Sequence, residues 1–318
     1  MIVALLGLTS ACAPLVAREG IEMRMPAIEK VEQMGISGDR YITRDGLRLG
    51  LTSWEAEMPK AIIVALHGMN DYSNAFAMPA PWWAAHGITT YAYDQRGFGR
   101  SPNPGVWGGN DVMRRDLVDF VDIVRARHPG LPVYVLGESM GGALAMSAFG
   151  SAKPPKADGL ILIAPAVWSR KTMPFSYRLA LWMTSHTFRA VTFSGSGLKI
   201  MPSDNIEMLR ANGRDPLFLK QTRTDAIYGL VNLMDEGYAS ASHLSREPLL
   251  FMYGGRDQII PKAPTETVVK ELSPNATVKN YPTGYHMLLR DLNAQPRWAD
   301  LAAWIDAHNT GAMAAAAE

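Results

Sequence analysis

From Ala61 onward, short apolar runs alternate with longer segments of helical periodicity, an order that admits few folds. Ala61 to Leu66 contains no polar residue and reads as a buried strand. Strands of that kind separated by helices pair in parallel, with helices packed on both faces of the sheet. Ile88 to Tyr93, Val133 to Leu136, Leu160 to Ile163, Leu249 to Tyr253 and Thr277 to Tyr281 continue the series. A helix is expected over Ala75 to His86, stopped by Gly87, where a left-handed cap is cheapest. Another is expected from a cap at Asp111 to His128-Pro129, with Leu117, Phe120, Val121 and Val124 on its apolar stripe, and a third directly after Ser139. Upstream, Tyr41 to Thr43 and Leu47 to Thr52 flank an Arg44-Asp45-Gly46 turn and read as an antiparallel hairpin.

The alternation stops at Val167 and resumes after Arg246, so residues 167–246 are expected as a helical cap inserted between two strands. The core is then 41–166 and 247–308, with 12–40 a linker and the Ala-rich residues 309–318 a disordered tail. Apolar residues make up 47% of the chain, enough for one large core. Acids and bases are interspersed at a net charge of +1, which offers no basic face to nucleic acid.

Within the series, Gly137-Glu138-Ser139-Met140-Gly141 lies between a strand and a helix. A strand-to-helix turn this sharp leaves no room for side chains at the flanking positions and holds the serine exposed above the sheet. Serine becomes a nucleophile only when a base takes its proton. Of the seven histidines, His286 is best placed for that, in the loop between the last strand and the final helix. His86 and His128 lie at helix ends, His186 and His243 in the insertion and His308 near the tail. The acid that orients the base is expected at Asp257, directly after the strand Leu249 to Tyr253, with Asp235 and Glu236 in reserve. Asp94 precedes the serine and is better placed to anchor the loop through Arg96 to Ser101. The backbone N–H of Met140 is one donor for a developing oxyanion, and that of Met69, in the loop His67-Gly68-Met69-Asn70, is assigned as the second. On this reading His67 supports its loop. No cysteine and histidine cluster has zinc spacing, and the proposed acyl transfer needs no cofactor.

These residues resemble the monoacylglycerol lipase and lysophospholipase-like branch of the α/β-hydrolases, grouped with the serine aminopeptidases of type S33. The resemblance runs from about Ala61 to Trp304. It is carried by His67-Gly68, by Tyr93 to Ser101, by Gly137 to Gly142, by Gly159 to Pro165, by Gly254 to Asp257 and by His286. It implies a mostly parallel twisted sheet, an apolar mobile cap over the active site, and small ester substrates with one acyl chain. Two positions depart from the pattern: Glu138 stands where histidine is common before the nucleophile, and Met287 where an acid often follows the catalytic histidine.

Aromatic and methionine side chains crowd Trp168 to Phe193, and Trp168, Phe175 and Trp182 are the candidates for substrate contact. The same crowding suits a hydrophobic core private to the cap. An aminopeptidase would need an anionic pocket, and the cap acids Asp204, Glu207, Asp215 and Asp225 are scattered. At the N-terminus, an apolar run over Ile2 to Leu8 and the small residues Thr9, Ser10 and Ala11 precede Cys12. That pattern resembles a bacterial lipoprotein signal, with residues 1–11 removed and a lipidated Cys12 tethering the enzyme to a cell-envelope membrane. The alternative is an incidental thiol on a cytoplasmic enzyme.

Overall fold

A computed structural model describes residues 33–187, 191–195, 200–244 and 247–315. The chain opens with three short strands, β1 (Gly35–Ser37), β2 (Arg40–Ile42) and β3 (Arg48–Trp54). There follow β4 (Ala61–Leu66), α1 (Pro79–Ala85), β5 (Ile88–Tyr93), α2 (Asn110–Arg127), β6 (Val133–Glu138), α3 (Met140–Phe149) and β7 (Gly159–Ile163). Next come α4 (Phe175–Thr187), β8 (Thr192–Ser194), α5 (Ile206–Arg214), β9 (Gln221–Arg223) and α6 (Thr224–Ser240). The chain closes with β10 (Leu249–Gly254), α7 (Lys262–Glu271), β11 (Thr277–Tyr281) and α8 (Gln295–Ala315).

The large sheet has the order β1-β2-β3-β5-β4-β6-β7-β10-β11. Strands from β5 through β11 in that order pair in parallel, whereas β1, β2 and β3 add an antiparallel edge. Every residue of β4, β5, β6, β7 and β10 is buried, because helices cover both faces. In β4, Ile62, Val64 and Leu66 join α2, α3 and α6 in one core, while Ala61, Ile63 and Ala65 join α1 and α8 in the other. This is an α/β-hydrolase fold. The small sheet β8-β9 lies within the segment between β7 and β10.

The structure corrects several boundaries. The helix expected from Ala75 begins at Pro79, after a tight 3-10 turn over Ser73–Phe76. Proline lacks an N–H and fits a helix only in its first turn, which places Pro79 and Pro81 at the start. Asp111 does not cap α2: Gly109, with a φ of 89°, precedes the helix, and Asp111 sits in its first turn bonded to Arg114. The linker 12–40 is shortened, because Gly35 to Ser37 pair with Arg40 to Ile42 as a strand. The tail 309–318 is helical as far as Ala315, in keeping with the high helix propensity of alanine. Asn309 accepts a hydrogen bond from the Tyr134 hydroxyl at 2.6 Å, which ties this end to the sheet. Cys12 and residues 1–11 lie outside the described residues. No helix among the described residues is long and apolar enough to cross a membrane.

The segment 167–246 does not pack as one unit. Ala226, Val231, Leu233, Met234 and Tyr238 of α6 join the core beside α3, and a side chain at Gly237 would meet the Ala143 backbone oxygen at 3.0 Å. In α4, by contrast, Ser185 is the one buried residue.

Candidate active site

Ser139 stands at the junction of β6 and α3 with φ 53° and ψ −114°, a strained backbone that only its surroundings can hold. A Cβ on Gly137 would lie 2.4 Å from the Gly141 carbonyl oxygen, and one on Gly141 would lie 2.2 Å from that of Leu66. The turn therefore admits no side chain at either position. Ser139 donates its N–H to Ile163 at 3.0 Å and accepts from Ala166 N–H at 2.9 Å, which stitches the turn to β7 and the loop after it.

His286 brings its ring between two oxygens. The Ser139 hydroxyl donates to Nε2 at 3.0 Å, and Nδ1–H donates to Asp257 Oδ2 at 2.8 Å. The His286 side chain is 6% exposed and that of Asp257 fully buried, so bulk water cannot compete for these bonds. The other carboxylate oxygen of Asp257 accepts the N–H groups of Ile259 at 2.8 Å and Ile260 at 3.0 Å. A hydroxyl, an imidazole and a fixed carboxylate in series can withdraw the hydroxyl proton as the oxygen attacks. The reserve acids lie elsewhere: Asp235 binds Ser169 and Arg170, and Glu236 binds Asn110, Arg114 and Ser147.

The loop after β4 runs directly past the serine, since a Cβ on Gly68 would come within 3.3 Å of that of Ser139. His67 supports this loop. Its Nδ1–H donates to the Gly68 carbonyl at 2.8 Å, and its Nε2 accepts Gln95 N–H at 2.9 Å. Burial lowers its pKa, which favours the neutral ring this pattern requires. Among the described residues, the N–H groups of Met69 and Met140 have no backbone acceptor. Asp94 anchors the neighbouring loop, accepting the N–H groups of Ser73 and Arg100, both at 2.9 Å.

Two features escaped the sequence. The segment between β7 and β10 is hydrogen-bonded to the loops of the site: Leu219 N–H donates to the Asn70 carbonyl at 2.9 Å, Asn70 Nδ2 to Thr222 Oγ1 at 2.7 Å, and the Tyr72 hydroxyl to Asp215 Oδ2 at 2.6 Å. Beside His286, Met287 N–H donates to the Pro202 carbonyl at 2.8 Å. The second feature is a buried charge cluster, in which Arg290 faces Asp71 at 2.7 Å and Glu138 at 3.4 Å. Burial pushes the Glu138 carboxyl up, and burial opposes the charge of Arg290 until Asp71 and Glu138 outweigh it. A glutamate inside an otherwise apolar strand end was the available signal, because such a residue needs a partner.

The candidate substrate contacts divide. Trp168 is partly buried against the core and meets the Tyr177 ring at 5.8 Å. Phe175 and Trp182 are 72% and 56% exposed, and they line a cleft of about 260 Å³ with Arg170, Arg178, Leu179, Leu181 and Tyr228.

Residues 57–293 match the sequence model of the family described as serine aminopeptidase, S33. The chain belongs to that family. Its relatives include a monoacylglycerol lipase from Mycolicibacterium smegmatis, 28% identical over 83% of this chain and 94% of that one. A monoglyceride lipase from Homo sapiens is 25% identical over 79% of this chain and 84% of its own. A phospholipase from Bacillus subtilis is 26% identical over 66% of this chain and 81% of its own. Among solved structures, a soluble variant of monoglyceride lipase from Saccharomyces cerevisiae, in complex with a substrate analog, superposes with a TM-score of 0.72. It is 20% identical and covers 89% of this chain and 99% of its own. The S33 grouping, expected from the motifs, is thereby the family of this chain.

Proposed function

We propose that this chain is a serine hydrolase of carboxylic esters that acts on small amphiphiles with one acyl chain, monoacylglycerols or lysophospholipids. The observation that carries the reading is the unbroken relay from Ser139 through His286 to Asp257. Ser139 attacks the ester carbonyl while His286 Nε2 takes its proton. Asp257 holds the opposite ring nitrogen protonated and stabilises the imidazolium that forms. The N–H groups of Met69 and Met140 receive the oxyanion, and collapse expels the alcohol with the proton returned by His286. Water, activated by the same ring, then hydrolyses the acyl-enzyme.

Esters are favoured over peptides with a free amine because the acids of the segment 167–246 named for that role are engaged within the protein. Asp204 accepts Leu292 N–H, Glu207 pairs with Arg210, Asp215 with Tyr72, and Asp225 with Arg223. We take the cap to be residues 168–223, with α6 part of the core. Its exposed residues Phe175, Tyr177, Leu179, Trp182 and Met183 would meet acyl chains or a lipid surface, and a lipidated Cys12 would hold the enzyme there.

The test is labelling with a fluorophosphonate beside turnover of monoacylglycerols, lysophospholipids and aminoacyl-nitroanilides. Labelling lost in Ser139→Ala, with turnover confined to the acyl esters, is the expected result. Nitroanilide turnover above ester turnover would replace the reading with an aminopeptidase.

A further inference from the structure

We infer that Arg290 is a positioning residue that fixes the nucleophile, the base and the oxyanion loop relative to one another. One guanidinium links three catalytic loops, its own and the two that it touches. Arg290 follows His286 by four residues, Glu138 immediately precedes Ser139, and Asp71 follows Met69 by two. The side chains of Arg290 and Asp71 are each 5% exposed and that of Glu138 is 3% exposed. Arg290 Nη1 donates to Asp71 Oδ2 at 2.7 Å, while Nη2 reaches Glu138 Oε2 at 3.4 Å.

Further bonds hold Asp71 and the Arg290 backbone, while among the described residues Glu138 Oε1 and Arg290 Nε are buried without a hydrogen-bond partner. Asp71 accepts Tyr72 N–H through Oδ1 at 2.9 Å, and its own N–H donates to the Gly68 carbonyl at 3.3 Å. The Arg290 carbonyl accepts from Asn205 Nδ2 at 3.0 Å, which joins the cluster to the segment before α5. A planar guanidinium with its donors in a rigid fork can bind two carboxylates from different loops at a set angle. A lysine ammonium is a point charge on a flexible stem and cannot. Loops held in a dry cluster of this kind have little freedom to drift, and near-attack geometry is sensitive to shifts of about 1 Å.

The inference rests on the reading of Ser139 as nucleophile, and the two can fail separately. Three variants test it: Arg290→Lys, Arg290→Met, and the charge-free triple variant Asp71→Asn, Glu138→Gln, Arg290→Met. Each is assayed on p-nitrophenyl butyrate, with functional sites counted by the burst of p-nitrophenol and the folded fraction by thermal melting. Arg290→Met leaves two buried acids without a counter-ion, so its Tm falls, and kcat per titrated site is expected to drop about 100-fold with KM within about threefold. Arg290→Lys is expected to keep most of the Tm and lose about tenfold in kcat. The triple variant recovers Tm because no buried charge is left unpaired, yet its kcat stays at least about 30-fold down. Should Arg290→Met not fold, the other two decide. Wild-type kcat per site in Arg290→Lys, or recovery of kcat together with Tm in the triple variant, would overturn the positioning role while leaving Ser139 in place. Full turnover by Ser139→Ala would instead remove the nucleophile itself.

Discussion

The loops at the ends of the strands and helix α4 are held by opposite means. Ser139, Asp257 and His286 sit in turns whose backbone groups are bonded to neighbouring strands, to the segment before β10 and to each other. Helix α4 leans on α6, buries little beyond Ser185, and presents five large apolar side chains to solvent. The contrast matches the demands that the proposed function would place on each region. Acyl transfer needs reacting atoms fixed to a fraction of an ångström, whereas a surface that receives acyl chains of several lengths gains from being loosely held.

The largest test of the fixed region is removal of its reacting groups. Ser139→Ala or His286→Ala is expected to lower p-nitrophenyl ester turnover about 10⁴-fold or more, and Asp257→Asn about 10³ to 10⁴-fold. Near-normal turnover in any folded variant would show that this relay is not the catalytic one. A smaller effect probes the hydrogen bonds between cap and oxyanion loop. Asn70 holds a φ of 66° and bonds Thr222 through its side chain and Leu219 through its carbonyl. Replacing it with alanine both strains the turn and removes the Thr222 bond, so kcat should fall about tenfold through the displaced Met69 N–H. An unchanged kcat would mean that the cap does not set the oxyanion loop. For the loose region, Phe175→Ser combined with Trp182→Ser should cut hydrolysis of vesicle-presented monoacylglycerol about five- to tenfold. Hydrolysis of a short soluble ester should fall less than about twofold. Equal losses on both substrates would make α4 part of the fixed machinery.

The difference between the regions also governs what the sequence could reveal. Strands β4 and β5 are bounded as their apolar runs predict, and Ser139, Asp257 and His286 lie in the turns and loops that follow β6, β10 and β11. Such elements are set by local constraints: glycines where no Cβ fits, and runs buried on both faces. The Asp71, Glu138 and Arg290 cluster joins positions 219 residues apart, and no periodicity encodes a pairing of that span. The segment 167–246 was harder for another reason. Aromatic residues on α4 and apolar residues on α6 look alike as composition, yet α6 buries its apolar residues in the core beside α3, whereas α4 sets Leu181 against that core and leaves its aromatic residues exposed. Whether an apolar face is buried depends on what tertiary packing sets against it.

The smallest expected effect is a difference in acid response. In the Arg44-Asp45-Gly46 turn, burial opposes ionisation of Asp45, but hydrogen bonds from Arg96 and Thr43 outweigh it and hold the carboxyl at about 2. Asp94 is likewise lowered: burial acts against it, and bonds from Ser73 and Arg100 prevail. Both groups bind fewer protons folded than unfolded. Their stabilisation is therefore complete above the ordinary aspartate value of 3.8 and is lost as pH falls below it, for Asp45 toward about 2. Helix α4 carries no carboxylate, so this loss arises outside it. Burial pushes the Asp116 carboxyl up to about 6, which acts in the opposite sense. The Tm should therefore rise slightly from pH 7 to about 5 and drop below about 4, while binding of a fluorescent amphiphile to the α4 face stays constant from pH 7 to 5. Asp45→Asn should cost about 1 kcal/mol at pH 7 and make the acid slope shallower. An acid slope identical to that of the wild type would show that the Arg96 contacts do not carry the pH dependence and that other carboxylates do.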